Sequence, residues 1–316
     1  MRKLLVLLVV AVVGGYFGAK LYIQHKVSGD LDTLLKQMQP FVDASYDSVT
    51  ASFNGELAIN KVSARFAKFD DPVSIDAVRV VTPGFFFLLG WDSQARSVVF
   101  PERIGLQLDG LRASVDADFM RVLEDVRSFG VNQTDVELTA ADLCAGTYGF
   151  TPESLHALGY SEMVVDLSFL FRRSGDNVIF EMGTDIKDMY DLDVALTLAG
   201  MSDPTALARG VRPLLVEGRM DNVDRSLHSR IIKNCEGRGV KADEAVAALV
   251  AEMQTTARAN GLELDDLIMA PYIEFLLGKE RFTVTSKPPK PVDLSRLDLY
   301  KPSDVPNLLN LVAEAH

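Results

Sequence analysis

The chain is 316 residues long, 48% hydrophobic and formally charged −12, with an isoelectric point near 4.9. That length supports one large domain or two ordinary ones with a sizeable core, and the hydrophobic content excludes extended disorder. Without the four Lys and Arg of the first 26 residues, 28 basic side chains face 44 acidic ones, a net −16, which argues against nucleic acid or a broad anionic membrane patch as partner.

Residues 4–23 read LLVLLVVAVVGGYFGAKLYI, interrupted only by Lys20. Twenty residues at helical rise span about 30 Å, the hydrocarbon thickness of a bilayer. Arg2 and Lys3 precede the stretch, Lys20, His25 and Lys26 lie at its far edge, and Asp30 and Asp32 follow. The pattern predicts a single-pass signal-anchor over residues 1–26 in a bacterial inner membrane, with the N-terminus cytoplasmic and the main domain periplasmic. A cleaved signal peptide shares the positive start and apolar middle. Cleavage after Ala19 would put Phe17 where a small side chain is expected, and the apolar run exceeds a usual signal core, so the retained anchor is preferred. Gly14 and Gly18 form a GxxxG spacing that offers a homodimer face, although glycine is common in membrane helices without any such pairing.

Val27, Leu31, Leu34, Leu35 and Met38 recur at helical spacing up to Pro40, which predicts a membrane-proximal helix over residues 27–40. Residues 41–316 are expected to form an exported α+β domain, a curved antiparallel β-sheet with peripheral helices, with two subdomains dividing near residue 150. Strands are predicted over residues 44–53, over 57–69 after the Asn54-Gly55 turn, and over 73–81 after Asp70-Asp71-Pro72. Residues 83–91, PGFFFLLGW, then bring Phe85, Phe86, Phe87, Leu88, Leu89 and Trp91 together without polar alternation. A buried helical turn, a rim on the bilayer and the lining of an apolar cavity all fit this stretch, and large apolar side chains are most often core.

Alternation resumes over residues 97–100 and 104–117, followed by a short helix over 119–129, a strand over 131–138 and a loop over 142–148 that carries Cys144. Thr151-Pro152-Glu153 caps a brief helix. Strands over residues 162–171, 178–186 and 191–198 form the clearest group, with a turn at Ser174-Gly175-Asp176-Asn177. Beyond them come a small helix from Asp203-Pro204, a strand over 214–220 and a helix over 224–232. The strongest helix outside the anchor covers 242–260 and stops at Gly261, and a further one over 266–277 contains Pro271, which should bend or divide it. A strand over 282–285 and a proline-rich run precede a tail that its leucines hold to the body.

Chemistry-bearing motifs are scarce. There is no metal motif, phosphate-binding glycine loop or nucleophile elbow, so no catalytic residue, metal or cofactor is assigned. Asp224 and His228, four apart on a helix with Ser226 and Ser229 beside them, are the only local pair able to orient a base, and surface helix polarity explains the same residues. Cys144 and Cys235 are the only cysteines; an exported chain permits a disulfide between them, and two buried thiols are the alternative.

Residues 48–62, SVTASFNGELAINKV, resemble the opening strands of AsmA-like envelope proteins, and the anchor ahead of them fits that arrangement. The LGY at residues 158–160, the strand group after it and FTVTSKPPKPVDL at residues 282–294 resemble the bacterial envelope protein family of unknown function 945. The first resemblance implies a link to lipid transport or outer-membrane homeostasis, and both imply an envelope location without supplying a catalytic motif. The expected function is therefore noncatalytic binding of a phospholipid, another lipid or another apolar envelope component in a sheet-lined groove, with Phe85, Phe86, Phe87, Leu88, Leu89 and Trp91 as contacts. A scaffold that binds envelope proteins through a sheet edge or its acidic face is the alternative, and an envelope hydrolase comes third.

Overall fold

A computed structural model describes residues 2–67, 71–89, 101–117, 144, 151–201, 210–259 and 263–316, with the side chains of residues 2–17 and of Asp298 excepted. The expected elements over 97–100, 119–129 and 131–138 and the helix from Asp203 lie outside the described residues, as does Trp91. The protein is α+β, with a large antiparallel β-sheet. It divides into two compact units, Met1–Gly110 and Leu111–His316, where the sequence suggested a boundary near residue 150.

In the first unit, helix α1 (Arg2–Met38) runs unbroken through the predicted anchor and membrane-proximal helix and stops two residues before Pro40, because a residue preceding proline is disfavoured in helical geometry. Among the described residues no helix is long and apolar enough to cross a membrane. The residues that make 4–23 apolar fall mostly among the side chains not described.

Ala19, Ile23 and Val27, four apart on one face of α1, pack against Ala51, Leu57, Phe85 and Leu88. Strands β1 (Val42–Ser45) and β2 (Ser48–Ala51) pair in one register with β3 (Glu56–Phe66), where the sequence predicted a single strand. The break falls opposite Lys61, whose φ of 52° is rare outside glycine. At the break the Tyr46 hydroxyl donates to Asp32 Oδ1 of α1 at 2.7 Å, and burial followed by that contact raises its pKa. Strand β4 (Val73–Val81) pairs antiparallel with β3, and Arg79 joins Glu56 at the start of β3 to Asp109 on β5 (Arg103–Ser114).

The second unit is a meander. Strands β6 (Glu162–Ser174), β7 (Asn177–Ile186), β8 (Tyr190–Ala199), β9 (Leu214–Asp224) and β10 (Arg281–Ser286) each pair antiparallel with the next, and β12 (Leu311–Ala315) closes the edge on β10 while β11 (Val292–Asp293) pairs with β9. The β6–β7 turn needs only Gly175 and Asp176 between paired residues, with Gly175 at φ 62°.

Helix α3 (Pro152–Ala157) starts at a capping box formed by Thr151 and Ser154. With α4 (Leu227–Gly237) it buries Leu155, Ile231 and Cys235 against Met163, Ile186 and Met189. Helices α5 (Ala242–Ala259) and α6 (Asp266–Leu276) close a second cluster around Phe275, Phe282 and Ala313. Pro271 lies inside α6 without dividing it. Leu267, four residues earlier, faces solvent, so water can satisfy the carbonyl that proline leaves without a donor.

Candidate functional site

The predicted contact stretch forms a short helix, α2 (Phe85–Leu89), with a split character. Phe85 and Leu88, three apart, are buried in the α1 cluster, Phe86 is 81% exposed, and Phe87 is half-buried. The loop before α2 is fixed to the β2–β3 turn by Thr82, which donates to the Gly55 carbonyl through its backbone nitrogen at 3.0 Å and its hydroxyl at 2.6 Å. Gly55 sits at φ 81°, and a Cβ there would lie 2.5 Å from Gly84 Cα. Both the conformation and the close approach require glycine.

Beside α2 lies a cavity of about 280 Å³, near the lower end of small-molecule sites. One wall is α1, through Tyr22, Ile23, Val27, Leu31 and Leu34; the other is the sheet, through Leu57 and Val80, which are directly opposed on β3 and β4. Leu88 and Leu89 close the lining, with Lys26 and Asp30 as its charged members. Of the predicted contacts, therefore, Leu88 and Leu89 line a groove, Phe85 supports it from the core and Phe86 stands outside. The α1 wall was visible in the spacing of Val27, Leu31 and Leu34. Leu57 and Val80 were missed because their partnership depends on strand pairing and not on local pattern.

A second cavity, of about 350 Å³, lies between α5 and α6, lined by Val246, Val250, Ile273 and Leu277 among others. In the second unit the sheet also carries a row of aspartates: Asp166, Asp185 and Asp191 are consecutive cross-strand neighbours on β6, β7 and β8, and Asp193 faces Asp221 on β9. Burial, followed by the Asp191 charge, pushes the carboxyls of Asp185 and Asp193 up. Asp221 is instead held low, first by its hydrogen bond from Arg219 and further by Thr283.

The Asp224–His228 pair is not arranged as a nucleophile activator. Nδ1 of His228 is 3.4 Å from Asp224 Oδ1, and its ring packs edge-on against Phe275 at 4.9 Å. Burial opposes the Asp224 charge, yet hydrogen bonds from His228 and Leu227 hold its pKa below the usual value. The neighbouring hydroxyls are engaged elsewhere: Ser226 donates to the Asp188 carbonyl at 2.5 Å and Ser229 to the Ser226 carbonyl at 2.8 Å. Among the described residues no group of three or more His, Cys, Asp or Glu is placed to hold a metal. Cys144 and the fully buried Cys235 form a disulfide, with Cα atoms 5.5 Å apart.

Comparison with curated proteins finds no match to the chain. A family model described as "Uncharacterized protein" matches residues 183–316, from within β7 to the end of the sequence.

Proposed function

We propose that this is a noncatalytic protein of the bacterial envelope, held in the inner membrane by the apolar start of α1, whose periplasmic body takes a lipid acyl chain in the groove between α1 and the β3–β4 face. The observation that carries the reading is the groove itself, an apolar channel walled by the same helix that bears the residue 4–23 stretch. A bilayer-embedded helix would keep that groove beside a lipid source. Its sheet wall includes Leu57, within the segment that resembles AsmA-like proteins. The disulfide suits an oxidising compartment. Gly18, the described member of the GxxxG spacing, has open space around it, as packing on a second copy of the helix would require.

The test is photocrosslinking in membranes with a phospholipid carrying a diazirine on one acyl chain. Adducts are expected on peptides containing Tyr22–Leu34, Leu57, Val80 and Leu88–Leu89, and Leu34→Trp, which fills the groove from a half-exposed position, should reduce them several-fold. A protein that folds but gives no adduct at these peptides removes the lipid reading.

A scaffold role has one specific observation in its favour. The in-register aspartates of β6–β9 form an acidic face suited to a basic protein surface. Crosslinking in intact cells should then capture one specific partner, lost on replacing Asp166, Asp185 and Asp193 by Asn.

A further inference from the structure

Tyr22, Phe53 and Phe86 surround the place where α1 leaves the body. Phe53 is 67% exposed at the β2–β3 turn and Phe86 81% exposed on α2, and both rings lean on buried Phe85, at centroid distances of 6.4 and 6.3 Å. Tyr22 is 59% exposed on the helix. Exposed phenylalanines on a turn cost solubility, yet this turn is built rigidly. Thr82 ties it to α2, and the contact of Gly55 with Gly84 locks the two ring-bearing segments together.

The level of these rings along α1 follows from packing. Tyr46, just before β2, bonds Asp32, and Ala51, at the end of β2, packs with Ile23, so the chain runs toward the N-terminal part of α1 as it enters the turn that carries Phe53. The same cluster includes Ala19, one helical turn closer to that end. Beyond it α1 continues into the apolar residues 4–18. Tyrosine favours the headgroup boundary, where its apolar ring and its hydroxyl are both satisfied, and phenylalanine buries its apolar ring where headgroups meet acyl chains.

We infer that Tyr22, Phe53 and Phe86 form an aromatic seat that rests in the headgroup region of the membrane, so that the first unit makes a second contact with lipid besides its helix. The proposal rests on the anchored reading. It adds that the lower end of the groove, at Tyr22, Ile23, Leu88 and Leu89, lies beside that contact, and that acyl chains enter from the adjoining leaflet. Phe41 supplies an internal control. It is 71% exposed just beyond the far end of α1, about 28 Å or more from Ala19, and has no part in the seat.

The experiment uses the full chain in vesicles of phosphatidylethanolamine and phosphatidylglycerol, with Trp91→Phe as background and Phe53→Trp, Phe86→Trp or Phe41→Trp as single reporters. Emission from positions 53 and 86 should shift to the blue and be lost when the lipids are brominated near the headgroup, with less loss for bromine near the chain end; position 41 should be unaffected. If positions 53 and 86 emit like position 41 while alkaline carbonate leaves the protein in the vesicles, the seat is refuted and the anchor stands. If carbonate strips the protein from the vesicles, the anchor is refuted, and the seat, which rests on it, falls with it. Should a tryptophan variant misfold, headgroup-attached nitroxide lipid applied to the unsubstituted protein in nanodiscs gives the same decision: broadening of the Phe53 and Phe86 ring resonances but not of Phe41 sustains the seat, and equal broadening of all three or of none overturns it.

Discussion

The two units differ in how they bury apolar surface. The second covers its sheet with α3–α6 and gathers large side chains into clusters, while leaving Leu267, Leu277 and Leu299 exposed, a cavity between α5 and α6, and charge on the sheet in the aspartates of β6–β9. The first has a small cluster around Ile23 and Phe85, completed by α1, and leaves a groove and exposed phenylalanines beside it. Burial stabilises a fold by about 25 cal/mol per Å² of apolar surface, so surface left uncovered forgoes stability that the chain had the residues to gain. On the proposed reading, apolar recognition belongs to the groove of the first unit, and the second meets proteins through its charges.

The sharpest way to break this contrast is to remove the disulfide. It closes a loop with a sequence separation of 91, so Cys144→Ala with Cys235→Ala should lower the stability of the second unit by about 4.5 kcal/mol in denaturant titration. Lipid crosslinking in the first unit should survive. Ile23→Ala is the reciprocal change, removing a buried side chain that docks α1. A loss of about 3 kcal/mol is expected, read as faster amide exchange in α1 and β2, with crosslinking reduced and the unfolding of the second unit unchanged. Two glycines compare the turns. Gly55→Ala should cost about 2 kcal/mol, because it meets both a positive φ and the Gly84 backbone, whereas Gly175→Ala, with nothing within 4 Å, should cost about 1 kcal/mol.

The smallest effect is electrostatic and belongs to the acidic face. A carboxyl whose pKa is raised by folding binds protons more readily in the native state, so its contribution falls as pH rises from the ordinary aspartate range through the raised value. Asp185→Asn should therefore stabilise the second unit by about 0.5 kcal/mol at neutral pH, and the gain should vanish in acid below the ordinary aspartate range. Asp221, held low by Arg219, should behave oppositely: its contribution is present at neutral pH and is lost on acidification.

Much of the second unit was legible because its signals are local. The three strand runs over residues 162–198, the Gly175-Asp176 turn and the proline-initiated helix at Thr151 all act within a few residues. The first unit was legible element by element, but its site was not. The apolar run at Phe85–Leu89 advertised itself, yet only two of its side chains line the groove, because a single helical turn sends adjacent residues in different directions. Lys61 divided an expected strand through a backbone conformation that nothing in lysine favours. Pro271 failed to divide α6 because the carbonyl it leaves without a donor belongs to Leu267, which faces solvent.

The meander has a consequence for how the second unit assembles. Cys144 and Cys235 bracket β6 through β9, and each of these strands pairs with the one that follows it in the chain. Such neighbour-to-neighbour pairing has low contact order, so the four strands can form rapidly and without waiting for distant segments. The bond joins two segments 91 residues apart, so a chain whose strands pair before oxidation avoids closing that loop around an unformed sheet.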